Sequence, residues 1–388
     1  MTALNFPPID FPARIAAVAA RLRREGADAY VGTRQAALHY LHGAFMPWRG
    51  AVIVTADGAC ETVYWAMDAS RVREEGTVGT LTEFWFDGMT EAIRETLARL
   101  GAADGRIGLD LSHPGAAQIA PGMLTASEYL DLQSKLPGAK LENGTRWIDD
   151  VMLIKSPAEI ARLKQAALVS DIGFRAGLAE VRPGVTENHV AGVIEQAIRD
   201  HGSTWAWAIT GGTEVGSGPR TGFLRGVTQQ ATDRPIGRDE FVILDLHPMI
   251  DLYLADTSIP VFLGKPSARQ AAMIDCWEDV AATMLAGLTP GRPIAECVKE
   301  GIATFAKHGF SDFSLPLFGH GLGTCARTRP FLNLRSDDVV QPGMVVALGT
   351  HLYVPDAGGM RLEFPAMITE RGAEPLVETP PKVHRVAA

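Results

Sequence analysis

The first third of the chain alternates between helix-like and strand-like hydrophobic patterns. Apolar side chains from Ile15 to Leu22 recur at the spacing of one helix face, so residues 12–25 are predicted to form an amphipathic helix. Residues 90–100 predict a further helix. Short apolar runs predict strands at 29–31, 51–55, 61–65 and 106–111. This alternation is typical of an α/β domain, which we expect to end near residues 144–147.

A strong helix start opens the second part of the chain. Ser156, Pro157 and Glu159 supply an N-cap, a proline at the first helical position and a capping-box acid. The pattern predicts further helices after Thr186 and over 268–288 and 294–308, and strands over 205–210, 344–348, 351–354 and 360–369. Helix pairs that alternate with antiparallel strands indicate an α+β domain. We therefore expect a smaller domain at 1–146 and a larger one at 147–388.

The larger domain contains a hairpin pattern with charged residues in unusual places. Two apolar runs, 241–247 and 252–262, are separated by a short polar break. A turn centred between residues 250 and 251 would set Asp245 directly opposite Asp256, with His247 on the same face. Two carboxylates facing each other in an apolar sheet repel, and a divalent cation between them would remove the repulsion. The alternative is that one Asp caps a turn and the other is solvated at an edge.

Other segments also carry candidate chemistry. Glycines flank His320 in FGHGLGT, so the backbone can pass close to a ligand while the ring points inward, although a lone His is often structural. Glu363 shares a strand face with Arg361, either for a site or for a plain salt bridge. Trp48 and Arg49 follow a proline in a loop that contacts substrate or packs structurally.

Composition limits the class of protein. With 388 residues and 46% hydrophobic content the chain can fill two cores. A net charge of −9 without a basic run argues against nucleic acid or an anionic membrane as partner, and favours small molecules or peptides. Four scattered cysteines, no signal-peptide pattern and no membrane-length apolar run predict a cytoplasmic protein.

Taken in order, several motifs resemble the pita-bread superfamily of aminopeptidase P, prolidase, methionine aminopeptidase and creatinase. These motifs are IKSPAEI, the pair Asp245 and Asp256, GHGLG at His320, PGM at 342–344, LYVP at 352–355 and GGMRLE ending at Glu363. The resemblance implies an α+β fold, with a C-terminal pita-bread domain preceded by a smaller α/β creatinase-type domain. It also implies a homodimer in which one N-terminal domain approaches the other subunit's site, so Trp48 and Arg49 are candidate substrate contacts.

The peptidases of this superfamily hold two divalent ions with two Asp, one His and two Glu. The resemblance assigns four of these metal ligands to Asp245, Asp256, His320 and Glu363. The remaining Glu is replaced by Gly349, a family His by Thr228, and the His after the GHG motif by Arg327. We expect one or two ions of Mn, Fe, Co or Zn, or none. His247 and His351 are candidates to replace the missing ligand or, with Glu363, to act in catalysis.

Three functions remain open at this point. The first is a creatinase-like hydrolase, with or without metal, that cleaves a carbon–nitrogen bond in a small polar substrate resembling creatine or ectoine. His247 or His351 would transfer the proton, and an arginine would hold a substrate carboxylate. The candidate arginines are Arg220, Arg225 and Arg327. The alternatives are an Xaa-Pro metallopeptidase or dipeptidase, and a lyase or silent binding protein of the same superfamily.

Overall fold

The computed structural model describes residues 5–76, 79–112, 122–204, 212–222, 230–324 and 326–388. The chain divides into two compact units. One comprises Pro8–Leu153, and the other comprises Ile154–Ala388 together with the residues that precede Pro8. The predicted strand at 205–210, Arg225 and Thr228 lie outside the described residues. Among the described residues, every helix is too short or too polar to cross a membrane.

The N-terminal unit is a mixed sheet with helices. Its strands are β1 (Ala29–Gly32), β2 (Gly50–Thr55), β3 (Cys60–Trp65), β4 (Thr80–Phe84), β5 (Arg106–Leu109) and β6 (Lys140–Asn143). Its helices are α1 (Phe11–Glu25), α2 (Gln35–Leu41), α3 (Ala69–Glu75), α4 (Met89–Arg99), α5 (Ala126–Lys135) and α6 (Thr145–Met152). The strands run in the order β4-β3-β2-β1-β5-β6. The sequence pattern missed α2, α3, β4, α5, β6 and α6, and the elements that it predicted in this unit are confirmed to within a few residues.

The C-terminal unit places long helices against an extended, largely antiparallel sheet. Its helices are α7 (Pro157–Glu180), α8 (Glu187–Asp200), α9 (Ala268–Gly287) and α10 (Ile294–Lys307). Its first strands are β7 (Glu214–Ser217), β8 (Glu240–Leu246), β9 (Met249–Ile250), β10 (Tyr253–Leu254) and β11 (Thr257–Leu263). Its later strands are β12 (Leu317–Leu322), β13 (Ala326–Asn333), β14 (Val345–Val354), β15 (Gly358–Thr369), β16 (Gly372–Pro375) and β17 (His384–Val386). The sheet order is β13-β12-β14-β15-β11-β8-β7.

The start of α7 follows the predicted chemistry. The Ser156 side chain accepts from the backbone N–H of Glu159, whose carboxylate accepts in return from the backbone N–H of Ser156. A capping box of this kind satisfies amide groups that a helix start otherwise leaves unpaired. Apolar side chains of α7 and α8 then pack on β8, where Leu244 and Leu246 join the buried core. Because side chains alternate along a strand, Asp245 and His247 face the opposite side of the sheet.

The predicted register of the central hairpin is wrong, because each residue pairs with one two positions further along the second strand than predicted. Asp245 pairs with Ser258, not with Asp256, and Tyr253 pairs with Ile250. The two-residue turn is Asp251–Leu252, whose φ angles are 46° and 69°. Positive φ at both central positions gives the turn a twist that matches the strands, so the turn forms there despite the absence of glycine. Extending this register places Asp256 opposite His247, on the same face as Asp245.

A continuous β14 replaces the two strands predicted at 344–348 and 351–354. It pairs with β15 along its whole length, with Gly349 opposite Glu363 and His351 opposite Arg361. Those four positions share one face of the sheet, because each is an even number of residues from the next along its strand. The pairing therefore gathers the C-terminal candidate residues beside the hairpin.

Candidate metal centre

The hairpin brings Asp245, His247 and Asp256 together. His247 Nε2 lies 3.2 Å from Asp256 Oδ1 and 3.5 Å from Asp245 Oδ1. All three side chains are buried. Their potential ligand atoms lie within 4.8 Å of one another. The corrected register accounts for this closeness, because it puts His247 and Asp256 opposite each other.

A second group shares Asp256 with the first. His320 Nε2 lies 3.4 Å from Asp256 Oδ2 and 3.2 Å from Glu363 Oε1. His320 comes from β12 and Glu363 from β15, so the group joins residues that are distant in sequence. The Nδ1 atom of His320 lies 3.2 Å from the carbonyl oxygen of Gly321. A proton on Nδ1 would donate to that carbonyl and leave the Nε2 lone pair directed at the carboxylates.

Arg361 is buried among carboxylates that come from β7, β8 and β15. Its Nη2 donates to Glu363 Oε2 at 3.0 Å, and its Nη1 forms an ion pair with Asp245. Nη1 also lies 3.3 Å from Glu214 Oε2. The predicted Arg361–Glu363 salt bridge is therefore present. Glu214 was not predicted, because the segment TEVGS around it has a single strongly apolar residue and gives little strand signal.

The carboxylates determine the charge of the two histidines. Burial lowers the pKa of His247, but the charges of Asp245 and Asp256 outweigh burial and raise that pKa to about 9. Burial also lowers the pKa of His320, but Asp256 and Glu363 outweigh burial and raise that pKa to about 9. Burial alone would raise the pKa of Asp256, but His247 and His320 hold it well below its usual range. Without a metal, imidazolium groups therefore balance the carboxylates at neutral pH.

The donor set fits a divalent ion. Both oxygens of Asp256 and the Nε2 atom of His320 are buried, and none has a hydrogen-bond partner among the described residues. Buried polar atoms are normally paired, so atoms that converge without hydrogen-bond geometry indicate a missing partner. Carboxylate oxygens with imidazole nitrogens suit Mn, Fe, Co or Zn. The residues that would hold an ion are Asp245, His247 and Asp256 in one group, and Asp256, His320 and Glu363 in the other.

Comparison with known proteins agrees with this geometry. Residues 161–370 match metallopeptidase family M24, and residues 14–153 match the creatinase/prolidase N-terminal domain. The first match alone spans more than half of the chain. The chain belongs to metallopeptidase family M24. This membership confirms the predicted pita-bread fold, the creatinase-type N-terminal domain and the hydrolase class.

Individual M24 relatives are similar over much of the chain. The uncharacterized peptidase YqhT of Bacillus subtilis is 30% identical over 257 residues, which are 66% of this chain and 71% of YqhT. The Xaa-Pro dipeptidase of Pyrococcus furiosus is 27% identical over 232 residues, 60% of this chain and 65% of that protein. The structure of an Xaa-Pro dipeptidase from Bacillus anthracis matches with a TM-score of 0.82 at 22% identity, covering 97% of this chain and 100% of that one. The structural match shows the shared fold.

Gly349 is the position at which the resemblance predicts a missing Glu ligand. A Cβ atom at Gly349 would lie 2.6 Å from the carbonyl oxygen of Leu362. It would also lie 3.2 Å from Cγ of Glu363. A side chain at position 349 would therefore force the local backbone to shift, whereas His247 lies in the first group of potential ligand atoms.

His351 lies on the same face as Gly349 but has a different environment from His247. Burial and the neighbouring Arg361 lower its pKa to about 3, so the ring is neutral. Its Nδ1 lies 3.4 Å from the hydroxyl oxygen of Tyr353, and the two rings stack. Neither group of ligand atoms includes His351. A neutral imidazole here can exchange hydrogen bonds with a substrate but carries no charge.

The candidate substrate-binding residues of the M24 chain have different surroundings. Arg220 is engaged by the buried Glu187, by Thr232 and by the carbonyl oxygen of Gln230. Arg327, in β13, is partly buried beside the strand that carries His320. In the N-terminal unit, Arg49 donates to both oxygens of Glu128 at 2.7 Å, and the half-exposed Trp48 packs edge-on against Trp65. Arg220 and Arg49 therefore have structural partners already.

Proposed function

We propose that this chain is a metal-dependent hydrolase that cleaves the amide bond of a dipeptide, as an Xaa-Pro dipeptidase does. The convergence of Asp256 with two separate groups of buried ligand atoms carries the proposal. Several relatives are named Xaa-Pro dipeptidases, which favours the peptidase alternative over a creatinase-like hydrolase. We also propose that the protein is a cytoplasmic homodimer.

The residues of the site would divide the work. Asp256 would bridge the two groups, with Asp245 and His247 on one side and His320 and Glu363 on the other. A divalent ion bound there polarises a carbonyl oxygen and lowers the pKa of a water molecule. Arg361 would hold Asp245 and Glu363 in fixed orientations, since it contacts both. Orienting groups of this kind commonly matter for ligand geometry and metal affinity.

The test is hydrolysis of Gly-Pro by chelator-treated protein to which Mn²⁺, Co²⁺, Fe²⁺ or Zn²⁺ is returned. We expect activity to depend on the metal. Asp256→Ala should lose both the bound metal and the activity, and His247→Ala should lower the metal content by elemental analysis. His308→Ala is the matched control, because His308 pairs with Asp279 on the surface. If the protein binds none of these four metal ions and does not cleave Gly-Pro, it is not a metallopeptidase of this kind.

A second candidate is the creatinase-like hydrolysis of a small carbon–nitrogen compound without metal. The observation that favours it is His247 itself, which lies between two carboxylates where a protonated ring could act as a general acid. Creatine and ectoine would be assayed in the presence of chelator. Turnover there that disappears in His247→Ala, with no cleavage of Gly-Pro under any metal, would decide for this function.

A further inference from the structure

Arg327 sits at an irregular point of the sheet. Gly321 of β12 pairs with Thr328, and Leu322 pairs with Ala326, so Arg327 stands between the two pairs with no residue opposite. Its backbone φ angle is 62°, a value that residues other than glycine and asparagine rarely adopt. An extra residue of this kind is a β-bulge, which turns a side chain out of the regular alternation. Bulges and such backbone outliers are frequent beside functional sites.

The guanidinium of Arg327 is also unusual in its contacts. Its Nε atom is buried and has no hydrogen-bond partner, and in the part of the chain that the structure describes no carboxylate pairs with the side chain. The neighbouring arginines differ, since Arg329 pairs with Asp338 and Arg361 with Asp245. A buried donor without a partner carries a desolvation cost that a ligand can relieve.

The surroundings of Arg327 place it next to the metal centre. The residue beside it, Thr328, pairs with Gly321, which follows the candidate ligand His320. Arg327 also lies close enough to His351 for its charge to contribute to the low pKa of that ring. The charges of Glu363 and Asp256 act on the same ring. Arg327 is thus the described arginine that combines proximity to the ligand groups with an open guanidinium.

We propose that Arg327 binds the carboxylate of the substrate, so that the preferred substrate ends in a free carboxylate next to the bond that is cleaved. A guanidinium presents two parallel N–H donors that match the two oxygens of a carboxylate. The inference rests on the proposed function and deepens it: the chain would be a dipeptidase that selects a free C-terminus, and not an enzyme that trims longer peptides. The neutral His351 would lie beside the bound carboxylate without competing for it.

The binding test compares N-acetyl-L-proline with N-acetyl-L-prolinamide by calorimetry on the metal-loaded protein. The wild type should bind the carboxylate at least tenfold more tightly than the amide. Arg327→Gln should abolish this preference, and Arg327→Lys should keep part of it, because lysine supplies charge without the bidentate donor pair. Arg335→Gln, at an exposed arginine shortly after β13, is the control that removes the same charge. An unchanged preference in Arg327→Gln overturns the inference.

A kinetic test separates this inference from the proposed function. Arg327→Gln should raise KM for Gly-Pro at least tenfold and should change KM for Gly-Pro amide much less, because the amide has no carboxylate for Arg327 to bind. If the wild type cleaves Gly-Pro and the variant keeps its KM, the dipeptidase proposal stands and the role of Arg327 is refuted. If no dipeptide is cleaved but the carboxylate preference disappears in Arg327→Gln, the anion site stands and the proposed reaction is refuted.

Discussion

Replacing Glu214 by Gln tests how the buried charges around Arg361 support metal binding. Arg361 is shared by Glu214, Asp245 and Glu363. Loss of the Glu214 charge should leave Arg361 more strongly attached to Asp245 and Glu363, which are candidate ligands. Arg361 would then compete better with a metal ion, and the site would also lose one negative charge. Both effects lower the affinity for the metal.

The expected size follows from the 3.3 Å separation of Arg361 and Glu214. At an effective dielectric constant of about 20, this separation corresponds to a Coulomb energy of about 5 kcal/mol. Most of that energy is offset, because glutamine still accepts a hydrogen bond and is cheaper to bury. Outer partners of metal ligands typically change metal affinity by about 10- to 100-fold. We therefore expect a loss of about 1.4 to 2.8 kcal/mol in metal binding.

The assay is calorimetric titration of chelator-treated protein with Mn²⁺, together with chemical denaturation with and without metal. The metal-free variant should be at least as stable as the wild type, because one of several mutually repelling buried carboxylates is removed. The metal-loaded variant should be less stable than the loaded wild type. Glu240→Gln is the matched control. Glu240 accepts hydrogen bonds from Arg234 at 2.8 Å, and neither residue belongs to the groups of candidate ligands. Equal affinities in the two variants would refute the reasoning and reduce Glu214 to a counter-ion of Arg361.

Two further predictions concern protons and backbone space. The pKa values of His247 and His320 in the metal-free protein are both raised to about 9, and burial raises the pKa of Asp245 well above its usual value, so metal binding at pH 7 should release at least two protons. The apparent affinity for the metal should then rise with pH up to about 9 and level off above it. Calorimetric titrations in buffers of different ionisation enthalpy measure the number of protons released. The His247→Ala variant should release one proton fewer. Gly349→Ala should cost about 1–3 kcal/mol of unfolding free energy, because its Cβ would meet the Leu362 carbonyl oxygen at 2.6 Å. Gly192→Ala, in a helix with open space around it, should be neutral or stabilising, and a similar loss in both would argue against the close approach at Gly349.

The hydrophobic pattern was sufficient to predict which side of the hairpin carries the site. Leu244 and Leu246 alternate with Asp245 and His247, and only one of these sets can face the helices. The register could not be predicted, because Leu252, unlike Asp251, is a residue type that rarely adopts the positive φ angle that this turn requires. His247 was accordingly predicted as a neighbour of Asp245, while its closer approach to Asp256 required the structure.

The pairing of strands that are distant in sequence was the other feature that could not be predicted. The proximity of Glu214 to Arg361 depends on β7, β8, β11 and β15 lying side by side, and no local pattern reports that order. Arg327 could be proposed as a substrate contact from its place after the GHG motif, but its bulge and its open guanidinium could not. The resemblance to the superfamily supplied four candidate ligand positions, and the structure adds the atoms that surround them.

The Asp251–Leu252 turn also sets the order in which the site can assemble. Closing it brings Asp245, His247 and Asp256 together through contacts that are local in sequence, and hairpins form within microseconds. His320 and Glu363 arrive only after long loops have closed, which is slower because more chain entropy is lost. Contact order therefore predicts that the candidate ligands of the hairpin meet first during refolding, before His320 and Glu363 complete the second group.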